Sequence, residues 1–308
     1  MDEHPFNSAY SPSTGSPAEG ASSDRPPSDQ AAAETDALTR RLQRLSESRS
    51  QRAHPLAIPK WPDSVCSAPN ALLRSALFAG VQGRQRRVFK KRTLLASTSD
   101  IEIRLQGVQL DQSDLDVWLQ ILHLARNQLP GFPIAFQARK LLRALGRGTG
   151  NSQYAWLADS LARLGGALVE VTFKGRHTFG DHLLRYYRDE DTQMYVVEPT
   201  EEMCRLFASG YTHLEWGQRQ ALRRKPLALW LHGYLGSHTA PYPIKVTTLH
   251  RWSGSGAQQL RDFKSRLQTA LQDLVDIGAI QQFEITAEGL VSVRQSITHH
   301  RPSGSPGI

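Results

Sequence analysis

The side chains best placed for chemistry in this chain are amides and cations. From Ala257 to Ile277 the residues follow a helical pattern. Leu260, Phe263, Leu267, Leu271 and Leu274 fall on one stripe, and Gln258, Gln259, Arg261, Lys264, Ser265 and Gln268 on the other. Arginine can pair with guanine O6 and N7, and glutamine or asparagine with adenine N6 and N7, so a helix presenting this face to a major groove would read bases. A second helical pattern, Asn151 to Leu164, has Tyr154, Leu157, Leu161 and Leu164 as its apolar stripe. Its other face shows Asn151, Ser152 and Gln153 at the start, then Trp156, Ser160 and Arg163. With one cation near its far end, that face is expected to position more than it reads. The stretch from Gly83 to Arg92 holds six cations in ten residues: Arg84, Arg86, Arg87, Lys90, Lys91 and Arg92. Such a run suits phosphate contact, each neutralised phosphate adding about −0.9 to the slope of log affinity against log salt. Lys174 and Arg176 sit at the tip of an expected hairpin and offer the same contact.

Catalytic constellations are not expected. The glycine-rich Gly146-Arg147-Gly148-Thr149-Gly150 lacks the Lys-Ser/Thr of a phosphate loop. Tyr186-Tyr187 beside eleven histidines raises the question of a DNA-nicking enzyme, but no His-apolar-His triplet occurs. His232 and His238 are six apart, a poor ligand spacing, and Cys66 and Cys204 lack metal-type spacing. The expectation is a protein without catalytic residues, metal or cofactor, in a reducing compartment.

The elements that must hold these faces repeat. Residues 132–173 and 242–285 read as two copies of one plan. Phe132-Pro133-Ile134 opens the first and Tyr242-Pro243-Ile244 the second. A short helix follows (Gln137 to Leu145; Lys245 to Trp252), then a Gly/Ser turn and the long helix. Each long helix ends on a Gly-Ala step, Gly166-Ala167 and Gly278-Ala279, leading into alternating strand residues. Trp118 and Trp230 share the offset of 112 between those steps. Helix, turn, helix, strand and wing is the order of a winged helix-turn-helix. The fold expected is mainly helical with small β-hairpins (α+β): two tandem winged-helix domains behind a disordered tail. The first wing is placed at residues 167–187, with Lys174 and Arg176 at its tip; the second hairpin spans 280–295 and turns at Glu288-Gly289. Asp111 or Ser113 should cap a helix over 112–128, and Asn70 one over 71–79. Residues 101–110 read as a small hairpin, and Pro226 should kink or break a helix over 217–235.

Domain limits follow from composition: a tail at 1–54, a first domain at 55–199 including the basic lead-in, a second at 200–297 and a C-terminal tail at 298–308. Residues 1–53 hold 8 acidic and 6 basic side chains, and the rest of the chain 21 and 31, so the net charge of +10 belongs to the folded part. That balance fits a phosphate-bearing partner. Leu38, Leu42 and Leu45 allow one short amphipathic helix in the tail, able to dock on a partner. No apolar run approaches the ~20 residues of a membrane span, and the N-terminus shows no signal-peptide core, so a cytoplasmic protein without membrane contact is expected.

Specific strings add a resemblance. Pro59-Lys60-Trp61-Pro62-Asp63, the stretch from Pro69 through Asn70 to Leu77-Phe78, and Leu110-Asp111-Gln112-Ser113-Asp114-Leu115-Asp116-Val117-Trp118-Leu119 resemble the TrfA family of plasmid replication initiators. The resemblance covers roughly residues 55–295. It implies binding to directly repeated duplex sites (iterons) at a plasmid origin and melting of an adjacent AT-rich segment, with contact to the opened single strand. It also implies recruitment of host DnaA, replicative helicase and sliding clamp. A monomer–dimer equilibrium tied to copy control follows as well, and the two winged helices would lie across two successive major-groove segments of one iteron. Leu77-Phe78 shares the Leu-Phe end of bacterial clamp-binding peptides and is the expected partner contact; Gln259-Leu260-Arg261-Asp262-Phe263 matches by letter but falls inside a helix. The alternative is a tandem winged-helix transcriptional repressor without a replication role.

Overall fold

The computed structural model describes residues 58–81, 86–128, 132–173, 177–189 and 194–296, and mixes helices with short strands. The chain divides into residues 1–54 and 55–308, and every described residue lies in the second unit. The two tails, Arg84, Lys174 and Arg176 lie outside the described residues.

The first core runs from Ile58 to Leu214. Strand β1 (Val65–Pro69) leads into a single helical turn, α1 (Asn70–Leu73), and a short strand, β2 (Phe78–Ala79). The helix expected over 71–79 stops at Leu73. Pro69 takes its cap position, and the Asn70 side chain instead accepts a hydrogen bond from Thr212 Oγ1 at 2.6 Å. The basic run becomes strand β3 (Val88–Leu95), paired with β4 (Ile101–Val108). Residues 101–108 are therefore one continuous strand, and no hairpin forms over 101–110. Ile101, Ile103 and Leu105 alternate inward, and Gly107, at φ +133°, lets the backbone pass close to Gly166 O. After β5 (Leu110–Asp111), which pairs parallel with β2, helix α2 (Gln112–Ala125) forms the centre of this core. Its capping box is complete: Asp111 accepts from the Ser113 and Asp114 backbone, and Asp114 accepts from the Asp111 N–H. Trp118 is fully buried on it and donates Nε1–H to Leu183 O at 3.3 Å.

The doubled plan is present, with one rearrangement. In the first copy β6 (Ile134–Gln137) precedes α3 (Ala138–Ala144) and α4 (Asn151–Gly166). In place of a wing comes the hairpin β7 (Leu168–Phe173) and β8 (His177–His182), which extends the β3–β4 sheet to the order β3-β4-β7-β8. Only then do β9 (Leu184–Asp189) and β10 (Met194–Pro199) complete a three-stranded sheet in the order β6-β10-β9. The wing expected at 167–187 is thus two different hairpins. Residues 168–173 and 177–182 belong to the larger sheet, and residues 184–189 open the next hairpin. Residues 200–215 stay with the first core: α5 (Glu201–Arg205), a 3-10 turn, and β11 (Tyr211–Glu215), which pairs with β1. The expected domain limit at 199/200 falls at the end of β10, where Pro199 pairs with Leu184.

The second core runs from Leu222 to Val291. Helix α6 (Trp216–Ala221) and helix α7 (Pro226–Gly236) replace the single helix expected over 217–235. The break is where Pro226 demanded it, and Pro226 serves as the first residue of α7, where a missing N–H costs nothing. Then β12 (Ile244–Lys245), α8 (Val246–Trp252), α9 (Leu260–Asp276), β13 (Ile280–Ile285) and β14 (Leu290–Gln295) form the second copy. Its sheet order, β12-β14-β13, is that of β6-β10-β9. Gly146 and Gly254, both at φ +65°, end α3 and α8 in the same way. The Gly-Ala steps do not match in conformation. Gly166 is still helical, whereas Gly278 (φ +71°) closes a cap in which Ala279 N donates to Leu274 O.

Polar bonds join the two cores. Arg219 of α6 is buried and pairs with Asp116 of α2 at 2.7 Å, with a further bond to Gln112 Oε1 at 3.1 Å. Trp230 donates to Ser75 O at 3.0 Å, Arg74 donates to Ser237 O, and Gly80 N donates to Ser253 O at 2.7 Å.

Candidate DNA interface

Helix α9 is amphipathic because its large apolar residues recur at three and four. Phe263, Leu267, Leu271 and Leu274 are fully buried, which turns the opposite stripe outward. Arg261, Lys264, Ser265 and Gln268 are all exposed there. The one acidic side chain of the first turn, Asp262, lies 3.7 Å from Arg261, with both groups well exposed, so the pair holds Arg261 weakly. The helix starts at Leu260, three residues later than the pattern suggests. A Ser255-Gly256 turn intervenes, in which Ala257 N–H bonds to Ser255 Oγ and Ala257 O lies 2.9 Å from His250 Nε2. Gln258 and Gln259 therefore stand exposed just ahead of the first turn, with Gln259 at the cap position. Leu260, expected in the buried stripe, is 43% exposed. Arg266, absent from the expected stripe, is also exposed.

Helix α4 is built differently. Asn151 and Ser152 are exposed at its start, but Gln153 is half-buried and accepts a hydrogen bond from Arg147 at 3.1 Å. Trp156 carries the Arg147 guanidinium 3.4 Å above its ring. Ser160 and Arg163 face inward, where Ser160 donates to the buried Asp114 at 2.7 Å and Arg163 pairs with it at 2.8 Å. Asp114 is wholly buried, so it needs cations around it. The exposed stripe left on α4, through Asn151, Ser152, Ala155, Asp159 and Ala162, carries no cation.

Asp114 also claims Arg86. That guanidinium pairs with Asp114 at 2.8 Å and with Asp111, and donates to Gln109 O, leaving its side chain 18% exposed. It is a structural cation, not the phosphate contact expected of it. Arg87, Lys90, Lys91 and Arg92 are exposed. The β3–β4 register jumps between Phe89 and Thr93, so Lys90, Lys91 and Arg92 lie in a bulge at the sheet edge. Arg92 pairs with Glu170 at 2.6 Å; Lys90 and Lys91 have no carboxylate partner among the described residues.

Leu77 and Phe78 are 0% and 1% exposed, with Phe78 stacked on Trp118. A clamp-type peptide must be extended and exposed, so in this conformation neither side chain reaches a partner. Cys66 and Cys204 are free and buried, and burial pushes both thiols up to about 12, away from thiolate chemistry at neutral pH. Among the described residues no group of three His, Cys, Asp or Glu side chains could hold a metal, and no helix is long and apolar enough to cross a membrane.

A family model described as TrfA protein matches residues 30–294. The plasmid replication initiator protein TrfA of Escherichia coli is 28% identical over 232 residues, 73% of this chain. The chain spans 60% of that relative's length. A crystal structure of selenomethionine derivatives of domains 2 and 3 of RctB superposes with a TM-score of 0.49 at 11% identity, covering 74% of this chain and 98% of that one. A second crystal structure of RctB domains 2–3 gives 0.43 at 12% identity, covering 72% and 94%.

Proposed function

The chain belongs to the TrfA family, and from that membership we propose that it is a plasmid replication initiator that binds duplex DNA at an origin through two winged-helix units. The same sheet order in the two copies, each built from a strand, two helices and a later hairpin, supports the winged-helix reading, with the β7–β8 hairpin inserted in the first. The observation that carries DNA binding is the exposed face of α9, where Arg261, Lys264, Ser265 and Gln268 stand beside Gln258 and Gln259 at the end of the helix that enters a groove. In this reading α9 reads bases, Asn151 and Ser152 of α4 position the first unit, and the Lys90-Lys91-Arg92 bulge and Arg87 meet phosphates. The sites are direct repeats, the protein opens an adjacent AT-rich segment and holds one strand of it, and host DnaA, helicase and clamp are brought in. The reading assigns the chain no reaction of its own.

Footprinting on the replicon that carries the gene tests this. The expected result is protection of direct repeats spaced by about two helical turns, lost when Arg261 and Lys264 are replaced by alanine. Protection confined to a promoter, with no effect on replication, would identify a repressor instead.

A further inference from the structure

Two cavities lie between the two cores. One, of about 760 Å³, is lined by Arg87, Lys225 and the Ser265–Arg266 side of α9. The other, of about 730 Å³, is lined by the Gly146–Gly148 turn, Arg147, Arg223 and Arg224. Both include Val81, Arg86, Asp111 and Pro226, so they form one groove. It runs from the Gln153–Arg163 side of α4 to the Ser265–Asp273 side of α9.

The charge in this groove is unbalanced. Its carboxylates are mostly engaged: Asp111 with Arg86, Asp116 with Arg219, Asp273 with Lys225 at 2.7 Å. Asp159 remains exposed. Against it stand Arg87, Arg147, Arg223, Arg224 and Arg266, none with a carboxylate partner among the described residues. Arg223 and Arg224 are exposed on the α6–α7 turn, and Arg224 is the one non-glycine residue at positive φ among those described, +71°. A left-handed arginine is strained, and such strain collects at ligand sites. Arg223 reaches the Gly146 turn, where its Nη1 would lie 3.3 Å from a side chain placed on that glycine. A cationic groove of this length, running from α4 to α9 between the two cores, suits a continuous polyanion.

We propose that this groove seats the sugar–phosphate backbone of duplex DNA between the segment met by α4 and the segment read by α9, with Arg223 and Arg224 as its phosphate contacts. The proposal rests on the DNA-binding reading above and adds the connecting backbone to it.

The test is the salt dependence of binding to a mixed-sequence duplex of about four helical turns, between about 50 and 200 mM salt. The variant is Arg223→Ala with Arg224→Gly, which removes both charges and relieves the backbone, so folding is not at risk. Its slope should be shallower than that of the unaltered protein by about 1.8, two phosphates at about 0.9 each. Arg104→Ala with Arg205→Ala, two cations outside the groove, should leave the slope as it was. Equal slopes for the groove variant and the unaltered protein overturn the proposal, as does the same drop in the control pair. Inorganic pyrophosphate is the second probe. If it raises the melting temperature of the unaltered protein only, while the duplex slopes agree, the groove is a small-anion site and the DNA assignment is wrong. If the unaltered protein binds no duplex at any salt, the reading it rests on falls with it.

Discussion

Arg86 and Arg261 carry the same charge and have opposite fates. Arg261 stands in solvent, so Arg261→Ala should leave folding untouched and cost about 1–3 kcal/mol of specific DNA affinity, measured by competition against unrelated duplex. Arg86 neutralises Asp111 and the buried Asp114, so Arg86→Ala should cost about 3–5 kcal/mol in urea unfolding. An Arg86→Ala variant of unchanged stability would remove the structural role given to it. His232 supplies a pH prediction. Burial pushes it down to about 3, and Gln218 bonds its Nε2 at 3.0 Å. The unfolded chain therefore binds a proton below about 6.5 that the folded chain refuses until about 3. Its contribution to stability is full above pH 6.5 and falls as pH drops through that window. His232→Gln should flatten the stability profile there, and an unchanged slope would contradict the assignment. Sequence separated these residues only in part. The α9 stripe was legible because its neighbours at three and four are large and apolar. The fates of Arg86, Arg163 and Ser160 were not, since they depend on Asp114 being buried by a helix far off in the chain. Leu77-Phe78 reads the same whether it is a peptide motif or a core pair.

Helices were the legible elements. Local periodicity, Pro226 and the Asp111 capping box set most of their limits. Strand partners were harder, because pairing joins residues far apart in sequence: β7 and β8 look like a wing until β3 and β4 are seen beside them. The two Gly-Ala steps share letters and differ in backbone, since Gly278 must be left-handed and Gly166 is helical. Two glycines give a paired prediction at this scale. A Cβ at Gly278 meets nothing within 4 Å, so Gly278→Ala should cost only the left-handed backbone term, about 1–2 kcal/mol. A Cβ at Gly254 would lie 2.9 Å from Ala79 Cβ, so Gly254→Ala should cost distinctly more. Equal costs in urea unfolding would show that the turn between α8 and α9 is not pressed against β2.

At the scale of the whole molecule, the two cores are held by buried polar bonds centred on Arg219 and Asp116. Apolar patterning cannot reveal such a joint, because the sequence marks neither side chain as buried. With the cores fixed, the cationic groove between α4 and α9 is fixed too, and the proposed function uses it to grip one asymmetric repeat. The proposed initiator role asks more than binding. The most direct test is permanganate reactivity of thymines in the AT-rich segment beside the repeats, on supercoiled origin DNA with the purified protein. The expected result is protected repeats together with newly reactive thymines next to them, both lost in the Arg261→Ala/Lys264→Ala variant. Protected repeats with no reactive thymine would contradict initiation.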